Sequence, residues 1–454
     1  MRSAYQYRSC LFVALSGVLA ATASAQIVYQ DNKLIPDDGA SNDNFGHAIA
    51  TDGVYVVVGS PADDDNGLQS GSAYVFDATT GMQLNKLLPA DGAAADRFGQ
   101  AVAIANGIAV VGVRNDDDNG SASGSVYLFD VATGSQLHKF TATDSEASDF
   151  FGSSVAIADG IVAVGAYGND DLGNQSGSAY IFSAATGQQI TKLLPDDGSP
   201  GDFFGLSIAV DNGIVLVGAP ADSDYGFEAG SAYLFDAFSG QQLGKLVPTS
   251  IQAEDFFGCS VDIDGELLVI GAYGDDEVAT EAGAAYLYDL KSQQQISKLT
   301  VTDATDTDWC GFEVSLSGDM AIIGSHLSDV NGMNSGAVYL FDTTTSLRIA
   351  TLLPDDGTSV DTFAISLSLQ DGVAAIGAFG DNPSGPFSGS AYLYHIVPSD
   401  CIADTNGDGS LTPADFSAWV AAFNAMAPQC DQNGDGQCTP ADFSAWVANY
   451  NAGC

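Results

Sequence analysis

The sequence repeats with a period of 53 residues, and this period constrains the fold more than any other feature. One position of the repeat holds Phe45, Phe98, Phe151, Phe204, Phe257, Cys310 and Phe363. Glycine follows this position except at Ala364, so Cys310 and Ala364 are the two departures from a Phe-Gly pair. A fixed period of about 50 residues marks an array of equal supersecondary units. Residues present in every unit are therefore architecture, and residues that break the pattern are better candidates for a site.

Each unit reads as four short β-strands separated by turn signals. In the third unit, β-rich runs begin at Phe151, Ile161, Ser178 and Gln188, and Asp159-Gly160 separates the first two. Asp-Gly and Asn-Gly pairs between such runs favour tight hairpins. The equivalent pairs are Asp52-Gly53, Asn106-Gly107, Asn212-Gly213, Asp264-Gly265 and Asp371-Gly372. Seven units of four antiparallel strands, without helical patterns, predict an all-β, seven-bladed β-propeller of four-stranded blades.

The two ends of the array indicate how the ring closes. Lys33 falls at the repeat position of Lys86 but precedes the first Phe-Gly pair, so the segment around residues 32–35 is a fourth strand without its own blade. The last unit runs past Tyr392 to Pro398 and lacks a fourth strand. We expect the N-terminal strand to complete the last blade.

Two charged columns of the repeat have structural interpretations. Six of the seven lysines share one position on the fourth, outermost strand, where lysine discourages edge-to-edge pairing of sheets. They are Lys33, Lys86, Lys139, Lys192, Lys245 and Lys298. We interpret them as edge protection rather than as a ligand groove. An aspartate precedes each Phe position by two residues, and seven such copies predict a turn-stabilising acceptor rather than seven catalytic acids.

Residues 1–25 have the pattern of a secretory signal peptide. Arg2 and Arg8 precede an apolar stretch, Leu11–Ala21, and a small-residue cleavage site ends at Ala25. No later apolar run is long enough for a transmembrane segment, so we expect a secreted or cell-surface protein starting near Gln26. Without the signal peptide the chain has 58 acidic and ten basic residues, a net charge of −48. Such a surface excludes nucleic acid as a partner, because phosphates are bound by Lys and Arg.

The repeats resemble the FG-GAP repeats of the integrin α-chain head and of secreted bacterial proteins. The resemblance rests on Phe204-Gly205 followed by Val217-Gly218-Ala219-Pro220, and on Val58-Gly59-Ser60-Pro61. The resemblance covers about 370 residues, from the N-terminal strand to the last repeat, and implies a propeller over that whole length. Some integrin blades bind calcium between strands one and two, but a tight turn such as Asp159-Gly160 occupies that place here. The acidic loops after strand two, such as residues 63–65, are either solvated or bind cations.

Past Pro398 the repeat stops and two calcium-binding patterns follow, 27 residues apart. A calcium loop places oxygen ligands at positions 1, 3, 5, 7 and 12, with glycine at position 6. Loop one supplies Asp404, Asn406, Asp408, Ser410 and Asp415, and loop two supplies Asp431, Asn433, Asp435, Gln437 and Asp442. Pro413 and Pro440 suit the first position of a following helix. These residues predict a small α-helical, EF-hand-like module at residues 399–454 that binds Ca²⁺.

The tail also resembles the Gly-Cys-type dockerin modules of exported planctomycete-type bacterial proteins. The resemblance rests on Asp at position 12 of both loops, the repeated stretch Thr412–Val420 and Thr439–Val447, and the ending Gly453-Cys454. It implies attachment to an envelope or cohesin-like partner. Cys401, Cys430, Cys438 and Cys454 allow three disulfide connectivities, and Cys454 is equally compatible with an anchor and with a disulfide.

The three predicted domains are the signal peptide (1–25), the propeller (26–398) and the tail (399–454). Together they indicate a secreted, non-catalytic binding or scaffold protein, with no catalytic or cofactor-binding residues and with a protein or polysaccharide ligand on the propeller. The alternative is a polysaccharide-active enzyme, a lyase or glycoside hydrolase, tethered by the tail. For that alternative the first candidates are Arg114, Trp309, Cys310 and His326, which break their columns. His47 and Arg97 lie near strand one, where side chains approach the channel.

Overall fold

The computed structural model describes residues 26–398, 405, 412–425, 430 and 438–452. Over residues 26–398 the chain forms seven four-stranded antiparallel sheets, each built from consecutive strands except the last. The predicted seven-bladed propeller is confirmed. The predicted signal peptide lies outside the described residues.

Each of blades one to six contains four strands in chain order, from the channel outwards. Blades one to three are β2 (Ala48–Thr51), β3 (Tyr55–Ser60), β4 (Ser72–Asp77), β5 (Gln83–Leu87); β6 (Ala101–Ala105), β7 (Ile108–Val113), β8 (Ser125–Asp130), β9 (Ser135–Phe140); and β10 (Ser154–Ala158), β11 (Ile161–Ala166), β12 (Ser178–Ser183), β13 (Gln189–Leu193). Blades four to six are β14 (Ser207–Asp211), β15 (Ile214–Ala219), β16 (Ser231–Asp236), β17 (Gln242–Leu246); β18 (Val261–Asp264), β19 (Leu267–Ala272), β20 (Ala284–Asp289), β21 (Gln294–Leu299); and β22 (Val314–Ser317), β23 (Met320–Ser325), β24 (Ala337–Asp342), β25 (Leu347–Leu352).

Blade seven joins the two ends of the propeller. It consists of β26 (Ser366–Gln370), β27 (Val373–Ala378), β28 (Ser390–Pro398) and, as its outer strand, β1 (Gln26–Leu34). β1 runs antiparallel to β28 over its whole length, with Gln26 opposite Pro398 and Leu34 opposite Ala391. The expected ring closure by the N-terminal strand is confirmed.

The core of the propeller lies between blades rather than within them. Seven clusters of buried side chains each join one blade to the next, and the cluster between blades seven and one contains Phe45, Tyr74 and Leu393. Phe45 is fully buried, and its ring meets the Tyr74 ring edge-to-face at 5.5 Å between centroids. The recurring Phe and Tyr are therefore packing residues of the inter-blade interfaces.

Glycine is required where neighbouring blades approach each other through their backbones. A Cβ atom added to Gly218, at the end of β15, would lie 1.9 Å from the carbonyl oxygen of Gly258 in the next blade. The tight turns behave as expected at Asn106-Gly107, where both residues have positive φ. At Asp52-Gly53 and Asp264-Gly265 only the glycine does, so these two turns differ from the predicted type.

The tail contains two helices of equal length, α1 (Pro413–Ala425) and α2 (Pro440–Ala452). Each begins at the proline that the sequence places at a first helical position. None of the helices in the described part of the chain is long and apolar enough to cross a membrane.

Candidate ligand-binding site at the mouth of the central channel

The aspartate two residues before each Phe position stabilises a turn. The Asp43 carboxylate accepts a hydrogen bond from the backbone N–H of Ala40 at 2.6 Å, and all seven units repeat this contact. Burial raises the pKa of Asp43, Asp202 and Asp255 to about 6. The predicted structural role of this column is confirmed.

The lysine column forms ion clusters instead of protecting sheet edges. Lys86 Nζ lies 2.7 Å from the carboxylate of Asp38, 3.0 Å from that of Asp63 and 2.6 Å from that of Asp65. It also lies 5.0 Å from the centroid of the Tyr74 ring, and the Tyr74 hydroxyl donates to Asp63 at 2.8 Å. The interpretation as edge protection is wrong, because the long side chain reaches from the outer strand over the tyrosine to the acidic loops.

Equivalent clusters occur in six of the seven units, and unit six shows what they have in common. The other five are centred on Lys33, Lys139, Lys192, Lys245 and Lys298. In unit six Thr351 replaces the lysine, and Ser328 replaces the aspartate equivalent to Asp63. Arg348 pairs there with Asp303 and lies 5.5 Å from the centroid of the Tyr339 ring. Unit three keeps Lys192 although Asn169 stands at the place of Asp63, and this lysine pairs with Asp144 and Asp171 instead. In six units the acidic loops thus carry their own cation.

Metal binding by the acidic loops has no support from the cluster geometry. Asp63 and Asp65 are both bound to Lys86. Within the described residues, no group of three or more His, Cys, Asp or Glu side chains is arranged to hold a metal ion. In those loops the lysine occupies the place that a cation would take.

Within residues 26–398, two basic residues differ from the other eight in having no acidic partner. Residues 26–398 contain ten Lys and Arg side chains, and eight of them form ion pairs within 4 Å. Among these described residues, Arg97 and Arg114 form none. In a chain this acidic, two unpaired guanidinium groups in one unit single out a surface with a different chemistry.

The first strands of all seven blades line a central channel with a volume of about 1110 Å³. Its wall differs between the two halves of the ring. In blades five to seven, side chains accept hydrogen bonds from the inner-edge N–H groups of the next blade: Asp262 from Leu316 at 2.8 Å and Ser315 from Leu369 at 3.0 Å. In blades one to four the equivalent position is alanine: Ala50, Ala103, Ala156 and Ala209. At this repeat position the channel wall is therefore polar on one side only.

Two carboxyl groups of the polar half have shifted acidities. The Ser260 hydroxyl donates to Glu313 at 3.1 Å, and the Ser315 hydroxyl donates to Asp262 at 2.9 Å. Burial raises the pKa of Glu313 to about 7 and that of Asp262 to about 6. Each group thus holds a proton near neutral pH more readily than an exposed carboxyl does.

Aromatic rings surround the channel on the face of the acidic loops. They come from two repeat positions, the residue before the Phe position and the second residue after the glycine that ends strand two. The Phe150 and Tyr167 rings stack at 5.2 Å, and Tyr167 meets Phe203 of the next unit at 5.8 Å. Phe256 and Tyr273 stack at 4.8 Å, and Tyr273 contacts Trp309 at 5.0 Å. We define the mouth of the channel by three repeat positions in all units. They are the two aromatic positions and the position two residues after each Phe, which holds His47 in unit one and Gln100 in unit two.

In unit two the mouth is cationic. Arg97 and Arg114 occupy the positions that Phe150 and Tyr167 occupy in unit three. A guanidinium nitrogen of Arg114 lies 3.5 Å from the Tyr167 hydroxyl, so the arginines adjoin the aromatic rings. Burial and the positive charges of Arg114 and Arg97 lower the pKa of His47 to about 4, which keeps this imidazole neutral.

The mouth also contains buried polar atoms without partners. His47 Nδ1, Gln100 Oε1, Arg114 Nε and His326 Nδ1 are inaccessible and make no hydrogen bond within the described residues. Buried polar groups in native proteins are nearly always paired, so each unpaired one calls for an explanation. Four of them at one opening indicate a surface that is completed by something else.

The backbone of the residue before each Phe position has an unusual conformation at the mouth of the channel. Every residue before the Phe position adopts a left-handed conformation, with φ of 58° at Arg97, 56° at Phe150 and 58° at Trp309. Large side chains rarely adopt this conformation, and in this fold it directs seven side chains to the channel mouth.

Seven copies of one family model match the chain. The model is the FG-GAP repeat, and its matches cover residues 28–76, 82–129, 135–182, 188–235, 241–288, 294–341 and 347–394. The chain belongs to the FG-GAP repeat family. Comparison with curated proteins found no match. FG-GAP propellers typically serve as binding or scaffold domains, which agrees with the coarse function expected from the sequence.

The residues that break the FG-GAP repeat pattern fall into two groups, one in the core and one at the mouth of the channel. Cys310 is fully buried in the interface between blades five and six, and burial raises the pKa of its thiol to about 12. It replaces phenylalanine as a packing residue and is not a nucleophile at neutral pH. Arg114, Trp309 and His326 all lie at the mouth, and so do His47 and Arg97. The structure therefore brings five of the six singled-out residues to one surface.

Only two of the ten predicted calcium ligands lie within the described residues. Asp415 and Asp442 are fully buried at the starts of α1 and α2, and each accepts a hydrogen bond at 2.7 Å, from the N–H of Thr412 and of Thr439. Buried carboxylates at equivalent places fit the hard oxygen donors that calcium requires. Asp404, Asn406, Asp408, Ser410, Asp431, Asn433, Asp435 and Gln437 lie outside the described residues.

A disulfide joins Cys430 to Cys438 in the tail. The pairing, which the sequence left open, thus links the residue before the second predicted calcium loop to a residue within that loop, between Gln437 and Asp442. Cys401 and Cys454 lie outside the described residues, so the proposed anchoring role of Cys454 stays a prediction.

The aromatic part of the mouth was missed in the sequence. A signal existed, because the residue before the Phe position reads Asn44, Arg97, Phe150, Phe203, Phe256, Trp309 and Thr362. This column is variable and aromatic-rich beside a nearly invariant one. Variation among otherwise equal units marks the surface where the repeat is free to differ.

Proposed function

We propose that this chain is an exported binding or scaffold protein with a non-catalytic propeller and a calcium-binding tail that attaches it to a partner. The observation that carries the proposal is the pair of fully buried carboxylates, Asp415 and Asp442, at the same place in the first turn of two equal helices. Each follows a complete oxygen-ligand pattern in the sequence. Both carboxylates accept a hydrogen bond from a backbone N–H, and a calcium ion at their oxygens would add a compensating positive charge.

The calcium ligands in the proposed sites are the oxygens named from the sequence. Asp404, Asn406, Asp408, Ser410 and Asp415 would hold one ion, and Asp431, Asn433, Asp435, Gln437 and Asp442 the other. The bound ion supplies positive charge that joins loop and helix and stabilises the tail when it binds. The resemblance to Gly-Cys-type dockerins supports attachment to an envelope or cohesin-like partner, which makes this a secreted or cell-surface protein.

Tryptophan fluorescence of the full-length protein tests the calcium sites. The three tryptophans are Trp309 in the propeller and Trp419 and Trp446 in the tail. A Trp309→Phe background therefore reports on the tail alone. We expect Ca²⁺ to change the emission and raise the thermal midpoint of this signal. The double variant Asp415→Asn/Asp442→Asn should lose the response, and magnesium should produce less of it.

The same double variant tests attachment. Full-length protein should be retained by an envelope fraction of the producing organism with calcium and released by a chelator, whereas the double variant should not be retained. Asp31→Asn, on the propeller, is the matched control and should behave as the unchanged protein. An emission that does not respond to millimolar calcium would rule out the calcium sites, and chelator-independent retention would rule out calcium-dependent attachment.

A polysaccharide-active enzyme is the second candidate, favoured by Glu313 and Asp262 in the channel. Carboxyl groups with raised pKa values inside a cavity are a feature of glycosidase sites. Both are also hydrogen-bonded between neighbouring inner strands, which is a sufficient structural reason for them. Polysaccharide turnover that disappears in Glu313→Gln would favour the enzyme over the binding protein.

A further inference from the structure

We propose that the channel mouth binds an anionic saccharide, a sugar chain with carboxylate or sulfate groups, through Arg97, Arg114 and the adjoining aromatic rings. This inference rests on the proposed binding role of the propeller and gives that role a site and a ligand class. It does not depend on the tail.

The cationic part of the site consists of two arginines, Arg97 and Arg114, that lack an acidic partner among the described residues. In the part of the chain that the structure describes, neither guanidinium has a carboxylate oxygen within 4 Å, although a run of three aspartates begins two residues after Arg114. Those acids are occupied elsewhere, since Asp116 and Asp118 bind Lys139 and Asp117 accepts the N–H of Ala122 at 2.7 Å. Guanidinium groups bind planar oxyanions through two parallel hydrogen bonds. The pair therefore presents donors for an anionic group of a ligand.

The unpaired polar atoms point to hydroxyl groups on the same ligand. Gln100 Oε1 is an acceptor and Arg114 Nε is a donor, and both are buried without partners. His47 lies close enough to both arginines for their charges to lower its pKa, and its neutral Nδ1 is also unpaired. A carboxylate or sulfate only accepts hydrogen bonds, whereas a hydroxyl both donates and accepts. An anionic sugar carries both kinds of group, which matches the mixture of donor and acceptor in the mouth.

The aromatic rings give the site length. From Arg114 the surface continues to Tyr167 at 3.5 Å, where Phe150 stacks on one side and Phe203 follows in the next unit. These rings are half-buried, so part of each faces the opening. The C–H faces of sugar rings pack on aromatic surfaces, in the mostly apolar and aromatic environment of ligand sites that use a few placed polar groups. Successive sugars of one chain would lie along the rings with an acidic group at the arginines.

An acidic peptide is the competing ligand, and the observations favour it less. It would satisfy the guanidinium groups through its carboxylates. Peptides commonly bind by adding a strand to a sheet edge. Inner-edge N–H groups of blades six, seven and one already donate to Asp262, Ser315 and Ser368, respectively. Peptide side chains also bring fewer hydroxyl groups to Gln100 and His47.

Calorimetric titration of the full-length protein with four polymers tests the inference. Oligogalacturonate carries carboxylates, dextran sulfate carries sulfates, neutral dextran carries neither, and polyglutamate is the acidic peptide. We expect oligogalacturonate or dextran sulfate to bind, dextran not to bind, and the stronger of the first two to identify the anionic group. Arg97→Gln and Arg114→Gln should each weaken binding about tenfold or more.

Matched variants separate the site from general charge effects. Lys291→Gln removes one positive charge on an exposed lysine paired with Glu266, and it should leave the affinity unchanged. Phe203→Ala should weaken the saccharide, because it removes a ring without changing charge. Thermal midpoints equal to that of the unchanged protein verify folding of each variant.

Three results would overturn the inference. One is the absence of binding by both anionic saccharides. Another is binding that Arg97→Gln and Arg114→Gln leave unchanged, which keeps the propeller as a binding module but not through this site. The third is polyglutamate binding as tightly as the saccharides and insensitively to Phe203→Ala, which assigns the mouth to acidic peptides. None of these affects the calcium response of the tail, so the two proposals fail separately.

Discussion

Lys86 Nζ lies 3.0 Å from the carboxylate of Asp63, and the two are buried together beneath the acidic loops, with side chains 16% and 6% exposed. Burial alone would raise the pKa of Asp63, but hydrogen bonds from Lys86 and the Asp65 backbone lower it. In blade one this pair makes a dense run of acids part of the packed structure. Without the lysine, the buried carboxylate would have no compensating charge.

Removal of the lysine should therefore cost more than removal of a surface ion pair. We expect Lys86→Thr to lower the free energy of unfolding by about 2 kcal/mol, after allowance for partial solvent screening. The double variant Lys86→Thr/Asp63→Ser copies unit six and should recover most of the loss. Lys291→Gln is the control and should leave the stability almost unchanged, because this lysine is fully exposed. Urea unfolding measures all three, and equal losses in the single and double variants would contradict the buried-charge explanation.

Close backbone contact between blades should make Gly218 intolerant of substitution, whereas its equivalent Gly324 should accept alanine. A Cβ atom at Gly218 would lie 1.9 Å from the Gly258 carbonyl oxygen, whereas at Gly324 the nearest backbone atom is the Ala364 oxygen at 3.0 Å. Neither glycine has positive φ, so backbone strain does not distinguish them. We expect Gly218→Ala to cost more than about 3 kcal/mol and Gly324→Ala less than about 1.5 kcal/mol. Thermal unfolding decides this, and equal costs would show that the spacing of blades six and seven is not relaxed.

The channel carboxyl Glu313 should make stability depend on pH. Its folded-state pKa is raised to about 7 by burial, so its contribution to stability is complete below its ordinary pKa and is lost as the pH rises through 7. Glu313→Gln keeps a neutral group there. We expect this variant to be more stable than the unchanged protein at pH 8, by about 1 kcal/mol or more, and similar to it at pH 5.

The control for this prediction is Glu254→Gln, which changes an exposed carboxylate on a loop. It should follow the unchanged protein at both pH values when thermal midpoints are compared. An equal effect of the two variants at pH 8 would attribute the pH dependence to the net charge of the chain.

Each tail tryptophan should influence the calcium loop of the other half. The Trp446 indole N–H donates to Thr405 Oγ1 at 3.2 Å, inside loop one, and the Trp419 N–H donates to the Cys430 carbonyl at 3.2 Å, beside the start of loop two. Groups that hold a metal-binding loop in place contribute to its affinity. We expect Trp446→Phe to weaken calcium binding about threefold to tenfold, or ~1 kcal/mol, in a calorimetric titration. Trp309→Phe, in the propeller, should leave the calcium affinity unchanged. If the two substitutions weaken calcium binding equally, the hydrogen bond from Trp446 to Thr405 does not explain the effect.

The sequence predicted the propeller fully because its evidence is periodic. Strand number, ring closure by β1 and the role of Asp43 all follow from positions that repeat every 53 residues. The lysines were misinterpreted because their role depends on a distance across the blade. A strand assignment places Lys86 on an outer strand but does not show that its side chain extends to Asp63.

The candidate site was predicted only in fragments. The sequence singles out Arg97, Arg114 and His326 without relating them, because they lie in two units and up to 229 residues apart. Their proximity to one opening arises from the closure of the ring, which brings equivalent positions of all units together. The unpaired atoms of His47 and Gln100 depend on burial, which composition and spacing do not contain.

The pairing of β1 with β28 sets an order for folding. During synthesis β1 is the first strand to emerge and its partner β28 is the last. Six blades can therefore form before β28 exists, and until then blade seven is incomplete and β1 has no strand to pair with. Until then the inter-blade core that contains Phe45 and Leu393 has only one of its two walls. The ring is therefore complete only when the whole propeller has been made, and a chain that stops before residue 390 is an open array with an unsatisfied end.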